Sequence, residues 1–130
     1  MRARSVTAIA LLATMHGMTG CSTIHTQTPE GKVIAMDQKG FADYVEQVFR
    51  HHNAVVDQLL YTEDASTDRN RSLAQAEAKM TLACLPINEV VSASAIGQNS
   101  GYWAHMHLPD AVPKCEAATR EVEALISPNH

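Results

Sequence analysis

Apolar residues recur at three- and four-residue intervals between residues 41 and 60, and this spacing predicts an amphipathic helix of about 22 residues. Charged and amide side chains occupy the intervening positions, as on the solvated face of such a helix. Asp37 stands before the run as an N-cap, and Met36 and Phe41 have the spacing of a hydrophobic staple. The apolar stripe consists of Phe41, Val45, Val48, His52, Val55, Val56, Leu59 and Leu60.

A second helical repeat follows a polar break over residues 62–71. It continues across Pro86, which removes a backbone hydrogen bond and crowds the preceding turn. The sequence therefore predicts a second helix that is kinked or split at Pro86, with Gly97 as the residue that ends it. Its apolar positions are Leu73, Ala76, Met80, Ala83, Ile87 and Val90.

The third helix is predicted to begin at Asp110 as its N-cap, with Pro113 in its first turn and an inner stripe that starts at Cys115. Residues 98–113 contain glycine and proline and have no sustained period, which predicts a loop. The expected fold is therefore all-α: a small domain of three helices over residues 37–130.

An apolar leader precedes this domain. Arg2 and Arg4 are followed by an almost unbroken apolar run over residues 6–15, which is too short to span a bilayer but has the length of a signal-peptide core. The run leads to Met18-Thr19-Gly20-Cys21 instead of the Ala-x-Ala site of the general signal peptidase. An ordinary secretory signal followed by a chance cysteine is the alternative interpretation.

The segment Met18–Cys21 resembles the lipobox of bacterial lipoprotein precursors, in which an aliphatic residue and two small residues precede cysteine. Met18 departs from the usual leucine, and Thr19 is larger than the usual alanine or serine. The resemblance covers only residues 1–21. It implies a signal peptide over residues 1–20, a diacylglyceryl thioether on Cys21 and further acylation such as palmitate at the new amino terminus. Ser22 favours, by the same resemblance, the outer membrane over the inner membrane.

The stretch after the cysteine, residues 21–36, is expected to act as a lipidated tether. Its first part is rich in Thr, Pro and Gly, and a flexible coil of this length would span about 20 Å. The apolar segment Val33–Met36 could dock on the domain or form a short strand. Loss of Arg2 and Arg4 with the leader leaves eight basic residues against 14 acidic ones, a formal charge of −6. This balance argues against nucleic acid as a partner.

Two cysteines remain once Cys21 is assigned to lipid. In an oxidising compartment Cys84 and Cys115 predict a disulfide, which would stabilise a domain of this size by about 3.5 kcal/mol. A redox pair is a weaker alternative, because the Cys-x-x-Cys spacing is absent. Zinc would need more ligands at closer spacing.

His105 and His107, with Met106 between them, form the most suggestive metal-binding pattern, because copper and zinc accept imidazole and copper also accepts thioether. The pattern is incomplete, and a further ligand would have to come from His51, His52 or Met80. The competing interpretation is that these histidines pack on Tyr102 and Trp103. His52 lies on the apolar stripe and is expected to be partly buried.

No nucleophile elbow, phosphate-binding loop or haem attachment motif occurs, so the sequence gives no support for an enzyme. Tyr102 and Trp103 allow two interpretations: a tip that binds another protein, or side chains that fill the core. The sequence thus favours a non-enzymatic lipoprotein facing the periplasm or the cell surface and binding an envelope protein, with a copper- or zinc-binding lipoprotein as the alternative.

Overall fold

The computed structural model describes residues 22–61 and 67–127, with side chains from residue 70 onwards in the second range. The chain forms β1 (Ile24–Gln27), β2 (Val33–Met36), α1 (Gln38–Leu59), α2 (Thr67–Ala95) and α3 (Tyr102–Ile126). The three helices and the Cys84–Cys115 disulfide predicted from the sequence are confirmed. The leader and Cys21 lie outside the described residues.

The described part of the expected tether includes an antiparallel β-hairpin, in which Ile24 pairs with Met36 and Gln27 pairs with Val33. The connection is a tight turn. The Gly31 amide donates to the Thr28 carbonyl at 2.8 Å, and Gly31 has a φ of 84°, which glycine adopts without the steric cost of a side chain. The possible strand at Val33–Met36 is confirmed, and residues 24–36 are folded and do not form a flexible coil.

Helix α1 begins as the sequence predicts. The Asp37 carboxylate accepts a hydrogen bond from the Gly40 amide at 2.7 Å, which satisfies one of the donors that a helix leaves unpaired at its start. Met36 packs against the core that contains Phe41, consistent with the predicted staple. The inner face buries Phe41, Val45, Val48, His52 and Val55.

Helix α2 continues through Pro86 as one helix, so the split that the sequence allowed at this residue does not occur. It ends in a Schellman motif: the Gln98 amide donates to the Ala93 carbonyl at 2.8 Å, and the Gly97 amide donates to the Ser94 carbonyl at 3.1 Å. Gly97 has a φ of 68°, as this motif requires of the residue after the helix. The predicted end of α2 is therefore confirmed.

Helix α3 corrects the sequence prediction. Residues 102–113, expected to be a loop, belong to this helix, and Asp110 lies within it and does not cap its start. The helix contains Pro109 and Pro113, which are four residues apart and therefore on the same face. Helix interiors tolerate proline only where the freed carbonyls find other partners, and the hairpin supplies one of them, as described below.

The helices run up, down and up. Tyr44 and His51 of α1 contact Glu116 and Glu123 of α3 with the same sequence offset of 72, so α1 and α3 are parallel. Helix α2 is antiparallel to α3 and packs on it most extensively, whereas α1 contacts α3 more than it contacts α2. The buried core includes Val48, Val55, Met80, Cys84, Ile87, Val112, Cys115 and Val122. The weak packing of α1 on α2 leaves a groove at one end of the bundle.

Candidate functional site: an aromatic tip beside an apolar groove

The hairpin is attached to α3 at the point where proline leaves a carbonyl without a helical partner. In a regular helix the Pro109 carbonyl would accept from the amide of residue 113, but Pro113 has no amide hydrogen. The Thr26 hydroxyl donates to the Pro109 carbonyl instead, and the Thr26 side chain is buried. This contact fixes β1 against the first half of α3.

A second link joins the turn of the hairpin to α3 about three helical turns beyond Pro109, on the same face of the helix. Arg120 donates to Glu30 at 2.9 Å and to Glu116 at 2.5 Å. Glu116 is only 8% exposed and also accepts a hydrogen bond from the Tyr44 hydroxyl at 2.6 Å. Burial and the Glu116 carboxylate raise the pKa of Tyr44, which therefore stays a neutral donor. Arg120 and Tyr44 together hold the hairpin, α1 and α3 in one arrangement.

The apolar groove lies between α1, the end of α2 and the start of α3, and has a volume of about 980 Å³. Its floor is apolar: Phe41, Val45 and Leu108 are buried, and Phe49, Val90 and Val91 are half-buried. Its rim carries the exposed Glu46–Arg50 ion pair along with Ser94 and His105. Ile24 of β1 also lines it, so the start of the hairpin lies at the groove.

The start of α3 presents exposed rings, which we call the aromatic tip: Tyr102, Trp103 and His107. Tyr102 is 72% exposed and Trp103 is 69% exposed. The Tyr102 and Trp103 rings meet edge to face at 6.0 Å between centroids, and Trp103 stacks on His107 at 6.0 Å. The interpretation that Trp103 fills the core is therefore wrong, and the rings are held by one another at the surface.

The aromatic tip is fixed to α2. The Gly101 amide donates to the Glu89 carboxylate at 3.3 Å, which supports the start of a helix that has no side-chain cap of its own. His105 is hydrogen-bonded to Ser100 at 2.6 Å across the same turn. The rings thus project from a helix end tied at two points to the residues before it.

His105 and His107 do not converge. Two residues apart on a helix, they point about 200° apart around its axis. His105 lines the groove and bonds Ser100, whereas His107 stacks on Trp103. The stacking of His107 on Trp103 agrees with the interpretation that the histidines pack on the aromatic residues, whereas the hydrogen bond of His105 is to Ser100.

His52 lies beside the disulfide in the core and is 6% exposed. Its Nδ1 atom has no hydrogen-bond partner among the residues that the structure describes. One ligand atom of His52 and the sulfurs of Cys84 and Cys115 lie within 4.8 Å of one another, but the two sulfurs are bonded to each other. Burial, with a smaller effect of His51, lowers the pKa of His52, so this residue is a neutral core histidine.

Comparison with known proteins gives no relative: no family model matches the chain, and neither the curated proteins nor the solved structures contain a significant match. Within residues 22–61 and 67–127, no helix combines the length and the apolar character that a membrane crossing requires.

Sequence reasoning identified the rings of the tip but missed the groove. In the sequence, Phe49 only widens the stripe of the first helix and Val90 belongs to the stripe of the second. That they line one groove depends on how far apart α1 and α2 lie. Thr26 was also missed, because a buried threonine in a polar segment carries no sequence signal until Pro113 is seen inside a helix.

Proposed function

We propose that this chain is a non-enzymatic lipoprotein of the bacterial envelope, anchored through acyl groups on Cys21, whose helical domain binds another envelope protein through the aromatic tip. The anchor follows from the lipobox pattern at Met18–Cys21. Two or more acyl chains give stable attachment, whereas one gives only marginal attachment. The expected location is the outer membrane, with the domain facing the periplasm or the cell surface.

The exposure of Tyr102 and Trp103 carries the proposal of a protein partner. Large aromatic side chains are the residues that most often supply interface energy, and they supply it most effectively when they are already ordered. Here the ring contacts and the Gly101–Glu89 hydrogen bond hold them in place. A partner would therefore bury these rings at little cost in conformational entropy.

The folded hairpin sets how close the domain lies to the anchor. Only Ser22 and Thr23 separate Cys21 from β1, so Ile24 lies at most about 10 Å along the chain from the lipidated residue. The domain would consequently sit at the membrane surface, and its partner would be a membrane protein or a protein that approaches that surface.

The copper or zinc alternative gains no support from the geometry. Its two histidines diverge on α3, and each has a different neighbour. We therefore do not propose it as a second function.

The partner proposal is tested by placing a photoreactive phenylalanine at position 103 in living cells, with position 82 as the matched control. Leu82 is also 69% exposed but lies on α2 beside a different surface, with Lys79 and Lys114. We expect a discrete protein adduct at position 103 that is absent at position 82. The identified protein should then bind the Trp103→Ala variant about 30-fold more weakly than the wild type, as for an interface hot spot, and bind Leu82→Ala normally. Equal binding of both variants would refute the role of the tip.

The anchor is tested separately by Cys21→Ser. We expect the wild-type protein to incorporate labelled palmitate and to sediment with membranes, and the variant to lose the label. Palmitate incorporation by the variant would disprove the assignment of Cys21.

A further inference from the structure

The groove has the length and the volume needed to hold one acyl chain of a lipid. It extends along α1 from Gln38 to Arg50, which at 1.5 Å per residue is about 18 Å. The acyl chains of one leaflet span about 15 Å, half of a hydrocarbon core of roughly 30 Å. An apolar cavity of about 150 Å³ holds benzene with its six carbons, so a groove of about 980 Å³ has room for a chain of sixteen.

The lining of the groove suits an alkyl chain. Phe41, Val45 and Leu108 form a continuous apolar floor, and the polar side chains stand at its rim. Apolar concavities of this size on small proteins mark binding sites for apolar groups. The rim ion pair of Glu46 and Arg50 leaves no single uncompensated charge there that would select an ionic ligand.

The proposed lipid anchor would place an alkyl chain next to the groove. Ile24 lines the groove, and Cys21 precedes it by three residues, a distance of at most about 10 Å. A group attached so close to its site has an effective concentration in the millimolar range, which a free lipid or a separate protein would have to match. The attached acyl chain is therefore the favoured occupant.

We propose that the groove shelters one acyl chain of the Cys21 anchor whenever the protein is outside a bilayer. This inference rests on the proposed lipidation of Cys21. Sheltering hides apolar surface that would otherwise cause the acylated protein to aggregate in water. In the membrane the acyl chain leaves the groove and inserts among the lipids, because a bilayer surrounds it with hydrocarbon on all sides, whereas the groove has polar side chains at its rim.

The test uses the full-length protein acylated in cells that are grown on palmitate with a terminal diazirine. The mature protein is purified, transferred from detergent to aqueous buffer without lipid, and irradiated. We expect crosslinks from the anchor to residues 41–50 of α1 and 90–95 of α2 within a monomeric protein. Addition of lipid vesicles should move the crosslinks to lipid.

A variant whose groove is filled by larger side chains, called the plugged variant, tests whether the groove is needed. Ala42 and Ala95 line the groove with exposed side chains, so Ala42→Phe/Ala95→Phe should fill it without disturbing the core. Ala54→Phe/Ala74→Phe adds the same groups at exposed positions of α1 and α2 outside the groove. We expect the plugged variant to lose the α1 and α2 crosslinks and to aggregate in water, and the control variant to behave as the wild type. Helical circular dichroism and an intact disulfide verify that both variants are folded.

The outcomes separate this inference from the anchor on which it rests. If the mass of the mature protein shows no acyl group on Cys21, both the anchor and this inference are refuted. An acylated wild type that crosslinks only between copies or to other proteins would overturn the inference and leave the anchor standing. Equal crosslinking of α1 and α2 in the plugged variant would also overturn it.

Discussion

His52 is the residue whose chemistry is least compatible with its surroundings. It is almost fully buried beside the disulfide, and its Nδ1 atom has no partner among the described residues. An imidazolium there would be a buried charge without a counter-ion, which is costly. The pKa of His52 is lowered because the folded protein favours the neutral ring over the buried charge.

Stability should therefore depend on pH through His52. The pKa of His52 is lower in the folded protein than its ordinary value of 6.5, so the unfolded chain binds more protons between these two values. The free energy of unfolding then falls as pH drops through about 6.5, and the loss levels off below the folded pKa. We expect His52→Leu to flatten this dependence, measured by urea unfolding between pH 8 and pH 5.

His25→Gln is the matched control for this experiment, because His25 is exposed on the hairpin. It should retain the wild-type dependence on pH. A His52→Leu variant with the same slope as the wild type would show that the pH dependence arises from other groups.

At the scale of elements, the structure shows where patterns of apolar residues are sufficient and where they are not. Most of helix α1 was predictable, because the Asp37 cap and the staple indicate its start and the apolar stripe indicates its length. Leu60, which was counted in that stripe, lies after the helix and is 77% exposed. The end of α2 was predictable because Gly97 adopts the left-handed conformation that the Schellman motif needs. In both cases the determining contacts are local in sequence.

The first half of α3 was not predictable, because its stability depends on a contact 83 residues away. Pro109 and Pro113 argue for a loop when they are judged by their neighbours alone. The Thr26 hydroxyl, supplied by a hairpin that precedes α1, satisfies the carbonyl that Pro113 leaves free. The groove was missed for the same reason, since it is formed by the distance between helices and not by any one of them.

This contact between the hairpin and α3 predicts a coupling between Thr26 and Pro113. Thr26→Val keeps the shape of the side chain but leaves the part-buried Pro109 carbonyl without this partner, which should cost about 1–3 kcal/mol in the free energy of unfolding. Pro113→Ala restores an amide that can donate to this carbonyl. In the Pro113→Ala background, Thr26→Val should therefore lower the free energy of unfolding by at least about 1 kcal/mol less than it does when Pro113 is present. A double-mutant cycle in urea measures this difference.

Thr23→Val provides the control, because Thr23 is exposed just before β1. It should change the free energy of unfolding by no more than about 0.5 kcal/mol. Additive effects of the Thr26 and Pro113 substitutions would mean that the two residues do not share the carbonyl.

At the scale of the whole molecule, the domain is tied together at a few points around α3. The disulfide joins it to α2, and the buried Glu116 joins it to α1. Thr26 and the Arg120–Glu30 ion pair join it to the hairpin. Helices α1 and α2 contact each other little, which opens the groove beside the start of the hairpin and the start of α3. The proposed anchor, lipid shelter and partner surface would thus share the end of the bundle that approaches the membrane.

The disulfide should be the largest single contribution to the stability of this arrangement. Cys84 and Cys115 are fully buried and separated by 31 residues, and closing a loop of this length removes about 3.5 kcal/mol of unfolded-state entropy in the chain-entropy model. Cys84→Ala/Cys115→Ala should lose about that much in the free energy of unfolding, measured by urea titration of the oxidised wild type and the variant. The wild type unfolded in the presence of a reductant should match the variant, because both lack the crosslink. If the reductant leaves the wild-type midpoint unchanged, the α2–α3 packing and not the crosslink holds the two helices together.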